Sequence, residues 1–225
     1  MTYATLAGIR KCAAHTFHLT LKWPEGQQFP QKILPGQVLK LNVGAESMPQ
    51  IRTYTIWNHD KEAGTLELAV STLSSGPAAK WVKKRVPGEH IGFEGPKGKY
   101  LLSGDADNYL LIGDISALAH MYVFRRHLKD SQQVTGWIFT GRQEDIFPDL
   151  DGKYHFKAHS SQYYTQEKLA DMIEMEVAQY AGKTHIYLAG MGEVVKPLGN
   201  RLKEDLAEQP ENQVSVFPKS FWLEE

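Results

Sequence analysis

A chain of 225 residues, 42% of them hydrophobic, holds enough apolar side chain for one large core or two smaller ones. Its formal charge of −1 leaves no basic excess, which argues against nucleic acid as a partner. The single cysteine, Cys12, excludes an internal disulfide and an iron–sulfur cluster, so any electron carrier is organic and bound; the nine histidines show no zinc-protease spacing, and no metal site is expected.

In chain order, His15 to Leu21 alternates with Phe17, Leu19 and Leu21 on one face, and Pro35-Gly36 opens a second alternating run through Leu39, Leu41 and Val43. The turn from Asn58 to Gly64 separates a strand at Ile51 to Asn58 from another at Thr65 to Ser71, which predicts a hairpin. A short helix from Gly76 to Arg85 ends at Pro87-Gly88, and Ile91 to Phe93 is a further strand. Short strands at this spacing predict an antiparallel, six-stranded barrel. Turn residues at Gly95 to Gly98 and Gly104 to Asp107 mark the boundary between domains at 1–104 and 105–225. Beyond it strands alternate with helices: strands at Tyr109 to Ile112, Val134 to Thr140, Tyr154 to His159, Ile186 to Ala189 and Val214 to Phe217, helices at Ser116 to Leu128, Gln166 to Tyr180 and Pro197 to Leu206. That rhythm predicts a parallel sheet in an α/β domain. No stretch approaches the ~18 apolar residues of a membrane span, and residues 1–20 lack a signal peptide's apolar run, so a cytoplasmic location is expected.

Two stretches of the first half read as parts of one flavin site. Arg52-Thr53-Tyr54-Thr55 offers a cation for phosphate, a flat side chain and a hydroxyl for the ring. Ser74-Ser75-Gly76-Pro77 places small residues and a proline at a helix start, where free N–H groups and the positive dipole end suit an anion. A pyrophosphate is the matching group, which favours FAD over FMN. Taken singly, Arg52 also fits a carboxylate partner, Tyr54 and Trp81 a core, and Gly76-Pro77 a plain helix start.

The chain resembles the siderophore-interacting proteins, flavin-dependent ferric-siderophore reductases of the ferredoxin-NADP reductase superfamily. The likeness rests on Arg52 to Thr55, Gly76-Pro77-Ala78-Ala79-Lys80-Trp81, Pro87-Gly88-Glu89, Gly113-Asp114-Ile115-Ser116-Ala117-Leu118 and Ser220-Phe221-Trp222, and so runs nearly end to end. Trp57 stands where the family has a second arginine, Ser116 where it has threonine, and Phe221 where it has tyrosine.

The resemblance implies an FAD-binding barrel over 1–104, then an NAD(P)H-binding domain over 105–225 that ends in an aromatic tail. It implies that Arg52, Tyr54, Thr55, Ser71, Thr72, Ser75, Gly76, Pro77, Ala78 and Ala79 hold FAD, and that Asp114, Ser116, Ala117 and Arg142 approach NADH or NADPH. Tyr54, Thr55 and Trp222 would then stand at the reacting ring, and Lys219, Phe221 and Trp222 beside a ferric siderophore, with a ferredoxin as an alternative electron donor. Three readings stay open: Arg142 as a loop cation paired with Glu144 or Asp145, the tail as an apolar plug between the domains, and the Lys80, Lys83, Lys84 and Arg85 cluster as a solvated face or a landing site for an acidic partner. Two other functions also stay open, a general flavin reductase without a siderophore pocket and a cofactor-free binding module.

Overall fold

Alternating burial turns the first half of the chain into an antiparallel sheet closed on itself. The computed structural model describes residues 1–160, 165–207 and 213–222. Strands β1 (Thr2–Ala13), β2 (Thr16–Lys22), β3 (Val38–Asn42), β4 (Ile51–Thr55), β5 (Asn58–Asp60), β6 (Thr65–Ser71) and β7 (His90–Lys97) lie in the order β4-β3-β7-β1-β2-β6-β5. The seven segments make the expected six strand paths, because β4 and β5 are one path broken at Ile56-Trp57. β4 pairs with β3 and β5 with β6, and the break is bridged by Ile56 N–H to the Gln37 carbonyl and Trp57 N–H to the Glu67 carbonyl. Leu19, Leu21, Leu39, Leu41, Leu66, Leu68, Val70 and Phe93 fill the barrel, and α1 (Pro77–Val82) adds Ala79 and Val82 against it.

β1 was not foreseen as a strand. Of its residues only Ala4 and Leu6 are buried, so its apolar signal is weak; pairing with both β2 and β7 holds it in place.

The second half forms a parallel sheet from β8 (Asn108–Asp114), β9 (Gln133–Thr140), β10 (Lys157–Ser160), β11 (Thr184–Met191) and β12 (Val214–Trp222), in the order β10-β9-β8-β11-β12. Helix α2 (Leu118–His127) covers the face toward the barrel, while α3 (Gln166–Val177) and α4 (Gly192–Ala207) cover the other. The helix expected from Pro197 starts earlier, at Gly192, and Pro197 lies inside it. Proline leaves the carbonyl four residues back without its helical donor. The Gln166 side-chain amide of α3 donates to that Glu193 carbonyl at 3.1 Å. β12 likewise runs beyond Phe217 to Trp222, since β11 pairs with it along its whole length.

A third apolar cluster lies between the halves and contains Trp57, Tyr122, Phe124, Phe147 and Tyr187, with Tyr100 and Phe221 packed against it. Trp57, 1% exposed, donates its indole N–H to Asp149 at 2.9 Å, and Arg126 bonds both Asp149 and the Trp57 carbonyl. His15 Nδ1 lies 2.5 Å from Asp145 Oδ1, and Ala14 N–H donates to the Glu144 carbonyl at 3.0 Å. Among the described residues no helix is long and apolar enough to cross a membrane, and no cluster of metal-ligating side chains occurs.

Candidate functional site

Strand alternation sorts the Arg52 motif onto two faces. Arg52 and Tyr54 share one face and are half-buried; Tyr54 packs on the same barrel core as Ala78 and Trp81 of α1. Burial holds the Tyr54 phenol above its usual range, so it stays protonated. Thr55 points to the other face, is buried, and has its hydroxyl 2.9 Å from Nδ1 of His120 on α2.

The loop before α1 is shaped by its own hydroxyls. Ser71 Oγ accepts from Leu73 N–H at 3.3 Å and Ser74 Oγ from Gly76 N–H at 3.4 Å. Thr72 is buried, and both its N–H and its hydroxyl donate to the His15 carbonyl, so it pins the loop. Gly76 is the extended N-cap, Pro77 opens the helix, and the first helical bond runs from Lys80 N–H to the Gly76 carbonyl at 3.2 Å. The N–H groups of Ala78 and Ala79 precede that bond, and Ser75 is exposed beside them. These N–H groups suit a phosphate, and Arg52, half-buried on β4 with Nη1 donating to the Ile51 carbonyl at 3.1 Å, is a cation of the kind a pyrophosphate needs, so the residues present fit FAD. Trp57 takes no part in it, because it is buried against α2 and Asp149.

The cleft of the second half lies at the carboxyl ends of β8, β9 and β11, where ligands of parallel sheets bind. Asp114 organises it. Its Oδ1 accepts from Ser116 N–H at 2.8 Å and Ser116 Oγ at 2.5 Å; its Oδ2 accepts from Met191 N–H at 2.9 Å and Trp222 Nε1 at 3.1 Å. Gly190 has φ +148°, and a Cβ there would lie 2.5 Å from Asp114 Oδ2, so only glycine leaves room for the carboxylate. Ala117, buried, donates its N–H to the Asp114 carbonyl at 3.0 Å and starts α2. Arg142 is exposed at the end of β9, with its backbone tied to the Thr140 hydroxyl. It makes no ion pair among the described residues, and Asp145, one of its expected partners, is taken by His15.

The expected aromatic pair is split. Phe221 turns inward, edge-on to His120 at 5.4 Å and to Tyr100 at 6.4 Å, so its expected place in a substrate pocket gives way to the interdomain plug. Trp222, 39% exposed, stays at the cleft beside Asp114. Lys219 is exposed and lines, with Lys196, Asn200 and Ser220, a cleft between α4 and the edge strand β12. Of the positioned groups, His120, Arg126 and Asp149 escaped the sequence reasoning; the available signal was a histidine inside the apolar run Leu118 to Phe124.

Residues 5–101 match the family described as the oxidoreductase FAD-binding domain. NADH-cytochrome b5 reductase 2 of Botryotinia fuckeliana is 29% identical over 142 residues, 58% of this chain and 41% of that protein. The chain spans less than half the length of the curated relatives it matches. Among solved structures, the siderophore-interacting protein from Acinetobacter baumannii superposes with a TM-score of 0.77 at 18% identity, over 99% of this chain and 90% of that one. Phthalate dioxygenase reductase superposes with a TM-score of 0.72 at 16% identity, over 97% and 67%. The match over residues 5–101 and these superpositions give a barrel like the oxidoreductase FAD-binding domain followed by a parallel-sheet half arranged as in these structures. FAD stands in the family's description, and NADH and pyridine nucleotides stand in the names of the relatives as those proteins' electron donors.

Proposed function

We propose that the chain is an FAD-dependent NAD(P)H oxidoreductase whose acceptor is iron(III) in a siderophore chelate. FAD, when bound, turns a two-electron hydride into single electrons, chemistry that side chains lack. The chain's residues bind and orient. Arg52 and the first turn of α1 neutralise the pyrophosphate, with Ser71 and Thr72 shaping the loop that presents it. Tyr54 and Trp222 offer flat walls, and Thr55 a hydroxyl, to the ring. Asp114 holds the Ser116 and Met191 turns and Trp222 in one arrangement, which gives the nicotinamide a rigid wall. Arg142 meets the nucleotide's ribose or 2′-phosphate.

The iron step needs no acid or base, because iron(III) is hard, is held by oxygen donors, and is held more weakly once reduced. The observation that carries this acceptor is Lys219, exposed on β12 three positions from Trp222. An ammonium group there attracts an anionic chelate. Resemblance to siderophore-interacting folds supports the same acceptor.

A second reading, electron delivery to an acidic protein, is favoured by the b5 reductase relatives and by the exposed Lys80, Lys83 and Lys84 on and beside α1. Steady-state reduction of ferric hydroxamates and catecholates, compared with reduction by free FAD, separates the two. Lys219→Ala is expected to raise KM for the chelate and leave FAD content and NAD(P)H oxidation unchanged. Equal rates for chelates with the protein and with free FAD would hand the function to the second reading.

A further inference from the structure

The Ala14-His15 turn between β1 and β2 is bonded to protein on two sides. Toward the parallel-sheet half, Ala14 N–H donates to the Glu144 carbonyl at 3.0 Å, and His15 Nδ1 lies 2.5 Å from Asp145 Oδ1. Toward the barrel's own loop before α1, the His15 carbonyl accepts from Thr72 N–H at 2.6 Å and from the Thr72 hydroxyl at 3.2 Å. One residue thus joins the segment after β9 to the loop before α1, with its side chain on one side and its carbonyl on the other.

Each segment leads directly to a candidate cofactor group. Thr72 pins the loop that sets Gly76 and the free N–H groups of Ala78 and Ala79 at the start of α1. Gln143–Asp145 is a single helical turn with Arg142 as its N-cap, and Asp145 N–H donates to the Arg142 carbonyl at 3.2 Å. The Thr140 hydroxyl holds the Arg142 backbone from the other side, at 3.0 and 3.2 Å. Asp145 is 1% exposed, a burial that is costly for a carboxyl without a hydrogen bond, and the His15 ring is its side-chain partner among the described residues. Without that ring the carboxyl turns out to water, and the helical turn and Arg142 move with it. The His15 side chain is itself 34% exposed, so removing it empties little of the core.

We infer that His15 is a positioning residue joining the two cofactor sites, so that FAD on the α1 loop and a nicotinamide nucleotide's phosphate on Arg142 each tighten the other's binding. The inference rests on the reductase reading above and adds to it a coupling and the residue that carries it. Both ligands draw on the same docked turn: FAD orders the Thr72 loop and with it the His15 carbonyl, while the nucleotide orders Arg142 and with it Asp145 and the His15 ring. The ligand that arrives second finds the turn already ordered and loses less conformational freedom on binding. Linkage makes the effect equal in both directions.

Adenosine 2′,5′-bisphosphate and ADP are the probes, because they carry the nucleotide's phosphates but no nicotinamide and so cannot act by stacking on the flavin ring. Release of FAD from the loaded protein is followed by the fluorescence of free flavin after a large dilution that suppresses rebinding. In the parent, the tighter-binding probe at saturation is expected to slow release about fivefold. His15→Ala is expected to release FAD at one rate with and without the probe at saturation, and His15→Asn, whose amide restores an N–H donor near the place of Nδ1, to keep the slowing. Asp145→Ala is expected to abolish the slowing, and His15→Ala to add nothing in that background. Hydrogen exchange in the loaded parent needs no variant to fold: the probe is expected to slow exchange at Ala14 and Thr72, whose N–H groups make the joint's own bonds. A parent whose FAD release the probe leaves unchanged, full slowing in His15→Ala, or unchanged exchange at Thr72 would overturn the inference. A loaded protein that binds neither probe overturns the Arg142 reading and the inference with it, whereas a protein that takes up no FAD fails earlier and overturns the cofactor reading on which both stand.

Discussion

Arg52 carries the most direct single-residue consequence of the proposed function, in which it is the side-chain cation for phosphate, while Trp57, where the resembled family has a second arginine, is buried elsewhere. Arg52→Ala removes a charge-assisted contact worth roughly 1.5–3 kcal/mol, or about ten- to a hundredfold in FAD affinity, read by flavin titration of the apoprotein. Unchanged affinity would misplace the site. Trp57→Arg is expected to be harmful: it sets a second guanidinium beside Arg126 in the interdomain core and removes the indole donor to Asp149. A loss of at least about 3 kcal/mol in urea unfolding, without tighter FAD binding, is the expected result. A gain in FAD affinity would mean that Trp57 faces the phosphates after all. Arg142→Ala, at the mouth of the second cleft, is expected to raise KM for NADPH more than for NADH; equal losses would leave Arg142 as an ordinary surface cation.

At the scale of elements, what the sequence disclosed and what it hid divide by range of interaction. Alternation in β2, β3 and β6 and the strand-helix rhythm after Asn108 are local patterns, and they gave the barrel and the parallel sheet. β1 was hidden because two neighbours, rather than its own apolar face, hold it. The full reach of β12 was hidden because Pro218 and Lys219 read as a strand end, though β11 pairs past them. Within the site, the Arg52 motif and the α1 start were legible, each being contiguous. The Thr55–His120 and Trp57–Asp149 contacts join residues 65 and 92 positions apart, and no periodicity links such pairs. Asp114 lies between these cases: its turn was readable, its hold on β12 was not. Asp114→Leu is therefore expected to free the strand end, making tryptophan fluorescence more quenchable by acrylamide and raising KM for the nicotinamide. The quenching change should vanish in a Trp222→Phe background, and its survival there would place the effect on another tryptophan.

At the scale of the whole molecule, the closed interface between barrel and sheet makes stability depend on pH. His120 titrates near its ordinary value in the unfolded chain but only at about 3 in the folded one. The unfolded chain therefore binds more protons between those values, and stability present above the ordinary histidine value is lost as pH falls below it. Lowering the pH from 7.5 to 5 is expected to cost about 2 kcal/mol through this residue alone. Burial lowers His59, His159 and His185 in the same direction. Urea unfolding at both pH values should show a smaller loss for His120→Asn than for the parent, and equal losses would contradict the assigned burial. The central claim, an FAD-dependent reductase built from these two halves, is tested most directly by one anaerobic titration of the FAD-loaded protein with NADPH and with NADH, followed by addition of a ferric chelate. The account predicts that the nucleotide bleaches the bound flavin and that the chelate restores its colour as iron(II) appears. A chain that takes up no flavin, or a bound flavin that neither nucleotide bleaches, would contradict it.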